Sequence, residues 1–202
     1  MFAISSAMSA IRRVGDDLIA EAGAPLGAIA AFARDEGLCG MAELAGIPGT
    51  IGGGVVMNAG AYGTELAQVV SSVDCVSLHN GKPIHYSADK LDFSYRHSAL
   101  MDANVVAAQV TLSLKAGDPQ AIRARMEECA AMRREKQPLN YPSAGSTFKR
   151  PEGNYASALI DQCGLKGCTI GGAQVSEKHA GFLLNRGGTA ADFLSLMAHV
   201  QQ

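Results

Sequence analysis

The chain has no tryptophan, no marked charge imbalance, and no apolar run near the roughly 20 residues that a membrane span requires. Each absence removes a class of function. With 17 Lys and Arg against 19 Asp and Glu, the formal charge is -2, and no basic footprint exists for nucleic acid. Residues 1–14 carry two arginines but no apolar core followed by a cleavage site, so they do not read as a secretory signal. The five cysteines are an odd number, and the one close pair, Cys163 and Cys168, matches no common zinc or redox spacing. A reducing, cytoplasmic compartment suits that usage. His79, His85, His97, His179 and His199 show no metal-ligand spacing, so no metal is expected. There is no internal repeat and no low-complexity tract.

Against that plain background, residues 46–63 stand out: Gly46-Ile-Pro-Gly-Thr-Ile-Gly-Gly-Gly-Val-Val-Met-Asn-Ala-Gly-Ala-Tyr-Gly63. Glycine lets another group approach the backbone closely. Bare amide N–H groups in such a loop form a concave nest for anionic oxygens. The segment is therefore shaped to lie against something flat or phosphorylated, and a nucleotide cofactor is the leading candidate. The competing reading is a flexible connector. Val55, Val56 and Met57 in the middle, with Asn58 and Tyr62 beyond, argue against it. No Gly-Lys-Ser/Thr follows, so this is not a Walker loop, and the spacing of the Rossmann fingerprint is absent.

Strands are expected over 17–23, 69–78, 82–86 and 104–114, with Asn80-Gly81 as a hairpin turn. Pro25 opens a helix over 26–34 that Gly37 stops. Asp118 caps a helix starting at Pro119, in which Ile122, Met126, Cys129 and Met132 fall at helical spacing. A loop rich in Pro, Ser and Gly is expected over 138–153, a short helix over 155–163, and strands over 173–176 and 182–185. A last helix begins near Thr189, with Asp192 completing a capping box. Helix and strand mix without regular βαβ alternation, so the class is α+β. A domain boundary falls near Gly117, dividing residues 1–116 from 117–202.

Two further stretches carry chemistry-bearing side chains. In Ser94-Tyr-Arg-His-Ser98, Arg96 offers a permanently charged, planar fork to a carboxylate, phosphate or enolate oxygen. In Pro142-Ser-Ala-Gly-Ser-Thr-Phe-Lys-Arg-Pro151, the Ser146 hydroxyl is a candidate proton or hydrogen-bond donor. Lys149 and Arg150 can meet an anion. Taken alone, the first reads more readily as a surface arginine beside a structural tyrosine, and the second as a turn with a helix cap.

Taken together, in this order and spacing, the three stretches resemble the UDP-N-acetylenolpyruvoylglucosamine reductase family, flavoenzymes that make UDP-N-acetylmuramate for peptidoglycan. The likeness rests on Ala45-Gly-Ile-Pro-Gly-Thr-Ile-Gly-Gly53 with Met57-Asn-Ala-Gly-Ala-Tyr-Gly63, Tyr95-Arg-His-Ser98 and Ser143-Ala-Gly-Ser-Thr-Phe-Lys149. Ala158-Leu-Ile-Asp-Gln-Cys-Gly-Leu-Lys-Gly167, Gly172-Ala-Gln-Val-Ser176 and His179-Ala-Gly-Phe-Leu-Leu-Asn185 extend it. The direct step from Gly-Leu-Lys-Gly to the Gly-Ala-Gln-Val strand resembles the family's shorter form.

The resemblance implies the second lobe of an FAD-binding (PCMH-type) domain over 1–116 and a smaller α+β substrate-binding domain over 117–202. It implies NADPH as electron donor, FAD as cofactor, and a UDP-sugar enolpyruvyl ether as substrate. Arg96 takes the role of the arginine that polarises the substrate carboxylate, and Ser146 that of the proton donor; both are expected to converge on one cleft. The flavin-facing set is Gly46, Ile47, Pro48, Gly49, Thr50, Gly52, Gly53, Asn58, Ala59 and Gly60. The substrate-facing set is Tyr95, Lys136, Lys149 and Arg150, with Arg150 standing where the family carries asparagine. A cytoplasmic monomer is expected, with no membrane or nucleic-acid partner. The family's Gly-Ser-Asn loop and its final glutamate-bearing strand have no counterpart in this sequence. The chain is thus expected to be an internal fragment that holds FAD weakly at best. The alternatives are another FAD-linked oxidoreductase of the same fold and a non-catalytic remnant.

Overall fold

Leu18 and Ala20 are buried and their neighbours Asp17, Ile19 and Glu21 are not, the period-2 signature of a strand with one face on a core. That strand is β2 (Asp17–Glu21) of a computed structural model that describes residues 7–202. The chain divides into two units, one ending at Ala130 and the other spanning Ala131–Gln202.

In the first unit, β1 (Ile11–Val14), β2, β3 (Val70–Ser77), β4 (Pro83–Ser87) and β5 (Val105–Ser113) form one antiparallel sheet in the order β1-β2-β5-β3-β4. Gly81 has φ +68 between β3 and β4, as the Asn80-Gly81 turn requires. Helix α1 (Leu26–Asp35) buries Leu26, Ile29, Ala30 and Ala33, one stripe at i, i+3, i+4, i+7. It packs into a core with Leu18, Val73, Val110 and Leu112. Burial in that core pushes the Cys75 thiol up to about 11, so it stays protonated and inert. Helix α2 (Ile51–Val56) lies within the Gly-rich segment, which is therefore not loop throughout. Helix α3 (Pro119–Lys136) begins where expected: the Asp118 carboxylate accepts from the Gln120 and Ala121 amides at 3.0 and 3.3 Å.

The second unit holds β6 (Ser143–Ser146), α4 (Ala156–Gln162), β7 (Thr169–Ile170), β8 (Ala173–Val175), β9 (Phe182–Asn185) and α5 (Ala190–Gln201). Its antiparallel sheet runs β6-β9-β8-β7 over a core of Ile160, Ala173, Val175, Leu183 and Leu196. β6 corrects the expectation of a loop throughout 138–153, and β1 and β7 are additions to the sequence reading. No helix among the described residues is long and apolar enough to cross a membrane.

The capping box at α5 is complete. Thr189 Oγ1 accepts from the Asp192 amide at 3.3 Å, and the Asp192 carboxylate accepts from the Thr189 amide at 2.8 Å and Gly172 at 3.4 Å. Those amides hold the Asp192 carboxyl below its ordinary range. Its stabilisation is therefore present above the unfolded-state value, near 4, and is lost as pH falls through the lower folded value. Asp192→Asn should lower stability at neutral pH and flatten the acid limb of the unfolding curve. Equal slopes for the two proteins between about pH 4 and pH 2 would remove Asp192 from the acid response.

Candidate active site

The start of helix α2 is bonded to the residues that follow β2. The Ile51 and Gly52 amides donate to the Ala24 and Ala22 carbonyls, each at 2.9 Å, so these helix-start donors are spent inside the fold. The expectation of bare amides along the whole segment is corrected to this extent. Packing explains three glycines. A Cβ on Gly52 would stand 2.8 Å from Ala22 Cβ, one on Gly54 2.9 Å from Leu66 Cδ1, and one on Gly60 2.7 Å from Glu65 Cγ.

Gly53 differs. It is exposed, it has no positive φ, and the nearest atom to its would-be Cβ is Thr50 Oγ1 at 4.0 Å. Nothing within the chain requires glycine there. Gly46, Pro48 and Gly49 are also exposed, while Ile47 and Thr50 are half-buried. The result is bare backbone that a flat ring or a diphosphate can approach closely, and it fits a flavin nucleotide. Gly53→Ala should raise the stability of the chain by about 0.5–1 kcal/mol, the ordinary gain within a helix. It should also weaken any flavin that lies on this face. Gly52→Ala should instead cost about 1–3 kcal/mol through overpacking. Urea unfolding of the two variants separates them; similar losses in both would remove the special standing of Gly53.

The Ser94–Ser98 segment closes on itself as a tight turn. Ser94 and His97 exchange amide-to-carbonyl bonds at 3.1 and 3.2 Å, and Arg96 within the turn has φ +55. The Arg96 guanidinium donates to the Gly60 carbonyl at 3.0 Å and the Asn58 carbonyl at 3.4 Å, and it lies 5.1 Å from the centre of the Tyr95 ring. The fully buried Ser98 hydroxyl donates to the Val56 carbonyl at 2.9 Å. The candidate cation is thereby built onto the Gly-rich segment. Four non-glycine residues among those described have positive φ: Asn58, Tyr62, Asp92 and Arg96. All lie in these two segments or beside them, and strained backbone of this kind clusters at functional sites.

Asn58 is only 1% exposed, with its side chain turned inward. Ala59 and Gly60 are half-buried. Sequence reasoning missed Ser98 as an anchor, although the serine of Tyr-Arg-His-Ser was a visible signal. It also missed Glu65, for which no local signal exists.

In the second unit, Ser146 ends β6 opposite Phe182 and is exposed. A register shift between Ser143 and Ser146, with Gly145 at φ +69, sets its direction. The next residue ties the strand down, since the Thr147 amide donates to the Gly181 carbonyl at 2.9 Å. Lys136, Lys149 and Arg150 are exposed, and Arg150 lies 5.5 Å from the centre of the Tyr155 ring. A cavity of about 310 Å³ is lined by Tyr155, Lys166, Lys178 and His179 among others. Burial lowers the His179 pKa, and its Nδ1 accepts from the Gly181 amide at 3.2 Å, which leaves the ring proton on Nε2. No cluster of three or more His, Cys, Asp or Glu suited to a metal occurs among the described residues.

Residues 4–87 match the family described as FAD binding domain. Residues 137–202 match that described as UDP-N-acetylenolpyruvoylglucosamine reductase, C-terminal domain. The UDP-N-acetylenolpyruvoylglucosamine reductase of Pediococcus pentosaceus is 47% identical over 199 residues, covering 98% of this chain and 66% of the relative. That of Caldanaerobacter subterraneus subsp. tengcongensis is 48% identical over 199 residues, covering 96% of this chain and 66% of the relative. The crystal structure of UDP-N-acetylenolpyruvylglucosamine reductase from Thermus caldophilus aligns with a TM-score of 0.82 at 36% identity. The alignment covers 91% of this chain and 67% of that one. The chain thus spans 61–66% of the length of the curated relatives it matches. It belongs to the UDP-N-acetylenolpyruvoylglucosamine reductase family.

Proposed function

We propose that this chain serves the FAD-dependent, NADPH-driven reduction of UDP-N-acetylglucosamine enolpyruvate to UDP-N-acetylmuramate. The reaction is a step of peptidoglycan precursor synthesis, and the protein works as a cytoplasmic monomer. The observation that carries this reading is the bonding of Arg96 to the carbonyls of Asn58 and Gly60. It places a fixed cation on the same segment as the bare backbone of Gly53.

Gly46, Ile47, Pro48, Gly49, Thr50 and Gly53 hold the flavin, with Gly52, Asn58, Ala59 and Gly60 shaping the segment behind them. The chemistry that a flavin would supply there is hydride donation. The substrate is an unsaturated carboxylate, so hydride added at the far alkene carbon drives negative charge onto the near carbon and the carboxylate oxygens. Arg96 meets that charge with a cation already in place, which stabilises the charge without reorganisation. Tyr95 packs against Arg96 and borders the carboxylate. The Ser146 hydroxyl gives a proton to the near carbon, and water restores it. Lys136, Lys149 and Arg150 face the diphosphate and sugar, Arg150 with its planar donor fork.

The test is to incubate the protein with FAD, NADPH and the enolpyruvyl ether and to follow the saturated lactyl ether by mass spectrometry. Product that requires both FAD and NADPH supports the reading. Product formed equally without FAD, or none from a preparation that binds FAD, overturns it.

A further inference from the structure

Arg96 reaches the Gly-rich segment from 36 and 38 residues away, and one residue of that segment meets its turn twice. The Asn58 Nδ2 donates to the Ser94 carbonyl at 3.0 Å, at the start of the turn. The Asn58 backbone carbonyl accepts from the Arg96 guanidinium at 3.4 Å, within the turn. The remaining Nδ2 hydrogen goes to Glu65 Oε2 at 2.9 Å, and Oδ1 accepts from the Ala67 amide at 2.9 Å. The amide orientation is thus fixed, since the nitrogen faces two acceptors and the oxygen faces a donor. Asn58 also has φ +41, a conformation that asparagine tolerates better than most residues.

A side chain this deeply buried, with both donors spent, has no hydrogen to donate to a cofactor. We infer that Asn58 is a positioning residue that fixes the direction of the Arg96 guanidinium by clamping its turn at Ser94 and receiving it on the carbonyl of residue 58. The inference rests on the role proposed for Arg96. The guanidinium bonds two carbonyls of one segment, so its direction is set by where the turn sits over that segment. Beside the Arg96 bonds themselves, side chains tie the turn to the segment on either flank of Arg96, Asn58 to Ser94 and Ser98 to Val56. Loss of the first frees the Ser94 side of the turn, two residues from Arg96.

The test uses the 202-residue chain with ¹⁵N-labelled arginine, the Arg96 signals being assigned from their loss in Arg96→Lys. In the parent protein, Arg96 should show hindered rotation and slow exchange of its Nη hydrogens. Asn58→Gly keeps the positive φ and removes only the side chain. It should average the Arg96 Nη signals and speed their exchange by about 10–150-fold, the range that loss of one hydrogen bond to a charged group corresponds to. Asn58→Asp combined with Glu65→Gln restores the 58–65 bond and the acceptor for Ala67, but sets a carboxylate against the Ser94 carbonyl. This variant should recover thermal stability relative to Asn58→Asp while the Arg96 signals stay averaged.

Parent-like Arg96 signals in a folded Asn58→Gly, or in the double variant, overturn the inference: Asn58 would then only staple loops. Should Asn58→Gly fail to fold, the double variant decides alone. The reading of Arg96 is checked separately. Unchanged reoxidation of flavin-loaded Arg96→Lys by the enolpyruvyl ether would remove the role of Arg96, whatever the signals show.

Discussion

Gly172→Ala should unfold the second unit. A Cβ built on Gly172 collides with the backbone of Gly187 and Gly188, and one built on Gly188 would stand 2.6 Å from the carbonyl carbon of Gly172. Both obstacles are backbone, so no rotamer change relieves them. The two strands of chain are also bonded at this crossing, with the Arg186 amide donating to the Gly172 carbonyl at 2.8 Å. To admit a methyl group, the β7–β8 hairpin must move away from the end of β9. That breaks the Ala173–Asn185 pairing next to Ala173, Val175 and Leu183, which are fully buried. Overpacking within a side-chain core typically costs about 1–3 kcal/mol, and a backbone-on-backbone clash belongs above that range. Gly187→Ala is the control. Gly187 has φ +90 with open space at its Cβ, so alanine there meets only the conformational cost, about 1–2 kcal/mol. Amide exchange at Val175 and Leu183 should lose its protection in Gly172→Ala and keep most of it in Gly187→Ala. Full protection in both would show that the crossing opens without cost.

The same kind of local chemistry decided what was legible in the sequence. Helix α1 was read to within a residue because Pro25 and Gly37 mark its ends, and Gly37 does take φ +67. Strand β9 and the Thr189–Asp192 box were equally plain, since an apolar run and a capping pair carry their own signals. Helix α2 was not legible. Three consecutive glycines oppose helix formation by roughly 1 kcal/mol each. What stabilises the helix is tertiary: Ile51 and Val55 are fully buried, and the carbonyls of Ala22 and Ala24 receive its first amides. Strand β6 was hidden because Ser143-Ala-Gly-Ser146 has no strand propensity and forms only against β9.

The site divides the same way. Arg96 and Ser146 stood out by residue type and by resemblance. The inward turn of Asn58 did not, because its partners Glu65, Ala67 and Ser94 are named by the fold and not by any local pattern. Gly53 is the converse case. Among neighbouring glycines that look alike in sequence, the structure picks out the one whose bare backbone no internal contact explains.

The largest kinetic effect is expected at Ser146. Its hydroxyl is exposed at the end of β6, and the strand around it is held by Phe182 in register and by the Thr147 amide on Gly181. Removing one oxygen atom from an exposed position leaves no cavity and no orphaned partner, so Ser146→Ala should fold with parent-like stability. Electron entry from NADPH needs no proton from this residue. In flavin-loaded enzyme carrying the substitution, flavin reduction by NADPH should therefore proceed at nearly the parent rate. Reoxidation by the enolpyruvyl ether should slow by about 10²–10⁴-fold, the usual contribution of a placed general acid. Stopped-flow absorbance at the flavin band reads the two half-reactions apart. Ser146→Cys retains a proton donor of different acidity, and it should recover part of the lost rate with a changed pH profile. A solvent deuterium effect on reoxidation that vanishes in Ser146→Ala would tie the slow step to this proton. Slowing confined to the NADPH half-reaction, or absent from both, would require the proton to come from another group.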